Sequence, residues 1–157
     1  MSKIRILKAS EEDSQILMKI EKEYMKFHQA LDRYFSFKED ISEIWLPYLK
    51  SILKDENFIV LLAKTEDNII GYSIAKIASR SPVYKIEKSA RILDLYVAPS
   101  HDRKRVSKLF IEEIINWARE KGVSYIEHPI ATKDKAREQL SRELEFEDYV
   151  TTLKKKI

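Results

Sequence analysis

The segment from Ala90 to Gly122 (ARILDLYVAPSHDRKRVSKLFIEEIINWAREKG) constrains this chain more than any other. An apolar strand ends in Asp94-Leu95-Tyr96-Val97 and is stopped by Pro99. A short basic loop leads into a long amphipathic helix that ends at glycine. Strand, tight loop and helix N-terminus together make an anion site, because unpaired backbone N–H groups and the helix dipole converge on one spot.

The chain of 157 residues is long enough for one domain with a real core. It is 44% hydrophobic and 35% charged, a globular balance with a highly charged surface. With 29 basic and 26 acidic residues the net charge is +3, which does not point to a nucleic-acid binder. There are no cysteines, so disulfides, thiolate metal sites and a cysteine nucleophile are excluded. The opening MSKIRILKAS is too polar for a signal peptide, and no apolar run reaches the roughly 20 residues of a membrane span. A cytoplasmic protein is the expectation. Glycine occurs twice, at Gly71 and Gly122, where about 7% would be usual. Few glycines with many Lys, Glu and Ile suggest a thermostable protein.

Ile4 to Leu7 alternates with basic residues and reads as a first strand. Ser10, with Asp13 three residues on, caps a helix striped by Ile16, Ile20, Tyr24, Phe27 and Leu31. A second helical region covers Ile41 to Leu53, with Pro47 splitting or kinking it. Phe58 to Ala63 reads as a strand buried on both faces, Glu66-Asp67-Asn68 as a turn, and Ile69 to Ala78 as the returning strand. Arg91 to Val97 follows as a strand. The long helix buries Val106, Leu109, Phe110, Ile114, Trp117 and Ala118 and ends with Gly122 at C′. Tyr125 to Ile130 is a strand, interrupted by His128-Pro129. Ala136, Leu140 and Leu144 stripe a further helix, and Tyr149 to Leu153 reads as a last strand.

In that order, the DLYV strand, the helix with its tryptophan and terminal glycine, and the closing Leu144-Glu145-Phe146 resemble the GNAT superfamily of N-acetyltransferases. The resemblance spans nearly the whole chain. His28-Gln29-Ala30-Leu31-Asp32 followed by Tyr34-Phe35 also looks like some small-substrate members. It implies an α/β fold: a mixed, mostly antiparallel central sheet of about six or seven strands with helices on both faces. Residues 1–157 would then form a single acyltransferase domain.

The resemblance also implies acetyl-CoA as cosubstrate, with the pyrophosphate held by a loop reading Gln/Arg-x-x-Gly-x-Gly/Ala. Here that frame reads Asp102, Arg103, Lys104, Arg105, Val106, Ser107. Arg105 puts a side chain where the family brings backbone up to phosphate, and Asp102 adds a negative charge. Arg103, Lys104 and Arg105 could instead hold phosphate by side-chain charge. The alternative is a solvated helix start. The thioester carbonyl would be polarised by the Val97 N–H, with Leu95 nearby, a donor that does not depend on residue type. Alternation puts Ile92, Asp94 and Tyr96 on one face of the strand and Leu93, Leu95 and Val97 on the other.

Asp94 on a central strand is the first candidate base, and Glu127 on the next strand is the second. Each could equally serve a structural ion pair or hydrogen bond. The tyrosine that many members use as general acid maps to Ser141, a far weaker acid. Glu145 replaces a glycine of the family landmark, and either carries left-handed strain or lies where the helix ends differently. Asp134 stands where the family often has Asn, and can still cap the helix. His28, His101 and His128 show no metal-ligand spacing. His28 and Asp32, a turn apart, suit either a substrate-facing pair or a surface cap.

Three functions follow. The first is acetyl transfer from acetyl-CoA to a small-molecule or peptide primary amine by direct attack. The second is a catalytically weak or inactive GNAT-fold protein that binds a ligand or partner, favoured by Arg105, Ser141 and Glu145. The third, ranked below these, is a weak binder of nucleic acid or an acidic partner through Arg103 to Lys108 and the terminal lysines. No membrane or nucleic-acid partner is expected. Oligomeric state is open, with a homodimer among the expectations.

Overall fold

The computed structural model describes residues 3–157. The elements are β1 (Arg5–Lys8), α1 (Ser14–Leu31), α2 (Ile41–Leu53), β2 (Phe58–Lys64), β3 (Ile69–Ser79), β4 (Lys88–Val97), α3 (Arg103–Glu120), β5 (Ile126–Glu127) and α4 (Lys135–Glu143). The five strands lie in chain order in one sheet. The pairings from β1 to β4 are antiparallel, and β4 pairs with β5 in parallel.

The sheet is covered on both faces. One core packs Ile59, Leu61, Ala75, Ile92, Leu95 and Val97 against Val106, Phe110 and Ile114 of α3. The other packs Val60, Leu62, Tyr72 and Ile74 against Leu17 and Met18 of α1 and Trp45, Leu49 and Ile52 of α2. Odd and even residues of β2 divide between the two cores, which is why that strand is apolar throughout. Phe110 is fully buried, worth roughly 1.5–3 kcal/mol over an exposed ring.

Four local expectations are corrected. First, two-residue alternation fails in β4. Asp94 pairs with Ile74 and Ile92 pairs with Ala75, so Leu93 is an extra residue. This β-bulge sends Ile92 to the α3 core together with Leu95 and Val97, while Leu93 and Tyr96 turn to the α1–α2 side. Second, β5 is two residues long instead of running from Tyr125 to Ile130. Third, Tyr149 to Leu153 forms no strand. Ion pairs hold this tail, from Arg142 Nη2 to Asp148 at 3.0 Å and from Lys154 Nζ to Asp32 at 2.7 Å, while Tyr149, Val150 and Leu153 stay exposed. The sheet therefore has five strands instead of six or seven among the described residues. Fourth, the buried stripe of α1 is Ser14, Leu17, Met18 and Glu21, one residue round from the predicted one, and Ile16 and Phe27 face outward.

The interruption expected at Pro47 does not break its helix. Pro47 lies inside a continuous α2. The helical bond it forgoes leaves the carbonyl of Glu43, which is at an exposed position where water can bond it. At the end of α4, Glu145 N–H donates to Arg142 O and Phe146 N–H to Ser141 O, both at 3.0 Å. This is the same double closure that Gly122 and Val123 make at the end of α3, with bonds to Arg119 and Ala118 at 3.0 Å. Glu145 carries φ 67°, so the non-glycine residue does adopt the left-handed conformation.

Candidate active site

The site begins with a gap in the sheet. β5 pairs with β4 at Ala90 and Arg91 and then departs, while β4 runs on to Val97. Ala98 N–H donates to Ile70 O at 2.8 Å. By strand alternation the N–H groups of Val97 and Leu95 then point away from β3, toward the edge that β5 has left. Gly71 supports this geometry. A Cβ there would lie 2.4 Å from the Tyr96 carbonyl oxygen and 3.3 Å from Val97 Cα, so a side chain at Gly71 would push β4 out of place.

Beside the gap lies a cleft of about 210 Å³ between the start of α3 and α4, reaching Val97. Arg103, Lys104 and Ser107 line it from α3, and Arg137, Leu140 and Glu143 from α4. Asp102 caps α3: its Oδ1 accepts from Arg105 N–H at 3.0 Å. The carboxylate that replaces the family's Gln or Arg thus serves the helix itself. The first-turn N–H groups of Arg103 and Lys104 still precede the first intrahelical bond, made by Val106 N–H to Asp102 O. Lys104 Nζ reaches across the cleft to Glu143 Oε2 at 2.5 Å. Three cations, one anion and a helix start fit an elongated anionic ligand whose far end meets Val97.

Arg137 is 6% exposed, with its Nε 3.4 Å from Asp134 Oδ2. Its guanidinium acts electrostatically on Asp94, Tyr24, His28 and His128, which places it among the polar groups around the gap. Burial pushes His128 down to about 3, helped by Arg137, so its imidazole is neutral at physiological pH. His128 Nδ1 is buried without a hydrogen-bond partner.

On the α1–α2 side of β4 lies a chain of acids. Tyr72 is fully buried and its hydroxyl donates to Glu21 Oε2. Burial, with the charge of Asp94, raises Glu21 to about 8, against the pull of the Tyr72 hydrogen bond. Burial raises Asp94 to about 6, opposed by Arg137 and by a hydrogen bond from Tyr72. Ser73 Oγ donates to the Asp94 carbonyl at 2.8 Å and fixes the backbone beyond the bulge. Tyr24 stacks edge-on against Tyr72 and Tyr96, each with ring centroids 6.0 Å away. Burial, then Asp94, raises the Tyr24 phenol, which stays protonated beside the Leu95 backbone.

Of the residues singled out in the sequence, Asp94, Leu95 and Val97 share the open end of β4, and Arg103, Lys104 and Ser107 share the cleft with Val97. Val106 is buried in the α3 core and Arg105 is exposed at the helix start. Glu127 sits where β4 and β5 still pair, and its Oε2 accepts from Ser89 Oγ. Ser141 is buried on α4, one turn beyond Arg137. His28 and Asp32 do not pair. His28 Nδ1 lies 3.2 Å from Tyr24 O, while Asp32 accepts from Tyr34 N–H at 2.9 Å and from Lys154.

The sequence reading missed Glu21, Tyr72 and Arg137. Glu21 had a legible signal, since it lies four residues after Leu17 and three after Met18 on an otherwise apolar face. Arg137 follows Ala136 on the α4 stripe, a weaker signal.

Known proteins share this fold. The model of the acetyltransferase (GNAT) family matches residues 20–144. The tetramutant of the BH1408 protein from Bacillus halodurans superposes with TM-score 0.85 at 16% identity, covering 98% of this chain and 99% of that one. A predicted acetyltransferase from Clostridium acetobutylicum, solved with acetyl-CoA, gives TM-score 0.77 at 17% identity over 98% and 96%. The aminoglycoside 6'-N-acetyltransferase AAC(6')-Ih from Acinetobacter baumannii gives 0.71 at 17% identity over 99% of both. No protein of curated function matches the sequence significantly. With a family model spanning most of its residues, this chain belongs to the GNAT family of acetyltransferases.

Proposed function

We propose that this chain transfers an acetyl group from acetyl-CoA to a primary amine by direct attack, with residues 1–157 acting as one catalytic unit. The observation that carries the reading is the open edge of β4, where the Val97 N–H meets a cationic cleft and Asp94 lies three residues away. The Clostridium protein holds acetyl-CoA and the aminoglycoside N-acetyltransferase AAC(6')-Iy holds CoA on the same fold, which supports this choice of cosubstrate.

The N–H groups at the start of α3, with Arg103, Lys104 and Arg105, would bind the pyrophosphate, and Ser107 would let it approach. Acetyl-CoA would supply an activated thioester. Val97 N–H, with Leu95 N–H nearby, would hydrogen-bond its carbonyl oxygen and stabilise the charge that develops there. Asp94, raised to about 6, is ionised at neutral pH and takes a proton from the acceptor ammonium. Glu127 is the second candidate for that role. Ser141, buried on the helix that walls the cleft, would pass a proton to the departing thiolate.

The test is thiol release from acetyl-CoA across a panel of primary amines, with Asp94→Asn in parallel. The expected result is turnover on at least one amine and a fall of roughly 10²–10⁴-fold in kcat for the variant, with acetyl-CoA affinity unchanged. An inert parent protein, or full activity in Asp94→Asn, would contradict the reading.

A further inference from the structure

The α1–α2 side of β4 holds more acid than a single base requires. Glu21 sits on a helix face otherwise made of Leu17 and Met18, and is 5% exposed. Its partner is Tyr72 on β3, whose hydroxyl donates to Glu21 and lies close enough to Asp94 to favour its charged form. Two carboxyl groups thus meet through one phenol. The groups that face Glu21 are Tyr24 on its own helix, Tyr48 from α2, Tyr72 from β3 and Asp94 from β4. Arg137 from α4 acts on Asp94 and Tyr24. The described residues therefore place no cation directly on Glu21, and its raised affinity for a proton has a structural origin.

We propose that Glu21, acting through the Tyr72 hydroxyl, is the positioning residue for Asp94, so that Asp94 works as one end of a carboxylic acid–phenol–carboxylate chain. This rests on the acetyl-transfer reading above. In the structure the Tyr72 hydroxyl donates to Glu21; when Glu21 holds its proton, its own O–H turns to the phenol oxygen and frees the Tyr72 hydroxyl to donate to the Asp94 carboxylate instead. The acceptor ammonium gives one proton to Asp94 as its N–H bond breaks, and the freed nitrogen lone pair forms the C–N bond. The C–S bond then breaks, and the second nitrogen proton ends on the CoA sulfur. The proton on Asp94 leaves to solvent and restores the base. The chain keeps Asp94 aimed by a donor that does not neutralise it, and without Glu21 the phenol is free to turn away.

The experiment compares Glu21→Leu, Glu21→Gln, Tyr72→Phe and the Glu21→Leu/Tyr72→Phe double variant in steady-state kinetics against pH. Carboxyl-carbon NMR titration of each protein without substrate runs beside it. The proposal expects Glu21→Leu and Tyr72→Phe each to lower kcat roughly tenfold, less than loss of the proton-transfer group itself, with the KM for acetyl-CoA unmoved. The double variant should be no worse than either single change, because the two act as one chain. The NMR titration should show a glutamate carboxyl ionising near pH 8 that disappears in Glu21→Gln. Glu21→Gln, whose amide can still donate to Tyr72, should keep a kcat close to the parent's. Parent-like kcat in Glu21→Leu, or losses that add in the double variant, would overturn the proposal. If no amine is acetylated but the NMR titration shows the coupled pair, the transfer reading has failed. If amines are acetylated but no carboxyl ionises near pH 8, the chain of acids has failed.

Discussion

Glu21 makes stability depend on pH in a window where little else titrates. Its carboxyl is raised in the fold from 4.5 to about 8, because burial and Asp94 both oppose the charge. Between those values the folded chain binds a proton that the unfolded chain has released, so raising the pH favours unfolding. The sign follows from the direction: a raised acid stabilises below its unfolded value and loses that contribution as pH climbs through its folded one. Asp94 acts likewise, but its window closes near 6. His28 and His128 are lowered, so their contribution is lost as pH falls below 6.5.

From pH 6.5 to 8 Glu21 is therefore the dominant shifted group among the described residues. The slope approaches about 1.4 kcal/mol per pH unit and levels off near the folded value. The fall in unfolding free energy across that window is roughly 1.5 kcal/mol, or about 3–6 °C in Tm for a domain of this size. Glu21→Gln keeps the amide's hydrogen bonding to Tyr72 and removes the charge. Guanidinium unfolding of both proteins at pH 6.5, 7.25 and 8 measures the effect. The parent should lose stability steadily while Glu21→Gln stays flat. A parent without that slope, or a variant that keeps it, would refute the assignment of a buried protonated acid.

Further changes test other parts of the structure. Glu145→Gly relieves the left-handed conformation at the end of α4 and should raise stability by about 1 kcal/mol, while Gly122→Ala at the matching position of α3 should lower it by a similar amount; differential scanning calorimetry reads both. Gly71→Ala drives a methyl into the Tyr96 carbonyl, and should cost about 1–3 kcal/mol in denaturant unfolding. Because Val97 adjoins the clash, the same variant should also lose acetyl-CoA binding by calorimetry. Glu143→Gln frees Lys104 in the cleft and should tighten acetyl-CoA binding roughly two- to fivefold at low salt, with the gain fading as salt is added.

Elements with a sustained apolar period were legible in the sequence. Phe58 to Ala63, the Val106–Ala118 stripe and the Gly122 stop depend on residues whose neighbours are nearby in sequence, and the structure forms β2, α3 and its cap there. The sequence singles out Val97 and the start of α3, and the structure brings both to one cleft. The site was not legible where partners come from distant segments. No local signal marks Leu93 as a bulge, yet it decides which face Ile92 takes. Glu21 and Tyr72 are 51 positions apart. The tail from Tyr149 has a strand's residues, but a strand needs a neighbour, and ion pairs hold this segment elsewhere.

The most direct test is calorimetric titration of the protein with acetyl-CoA, with CoA alongside. The account predicts one site per chain with a Kd at or below the micromolar range, about −8 kcal/mol, weakened by salt and by Arg103→Ala. Absence of heat and of thermal stabilisation at millimolar acetyl-CoA would contradict it, because the cleft beside Val97 would then not be a cosubstrate site.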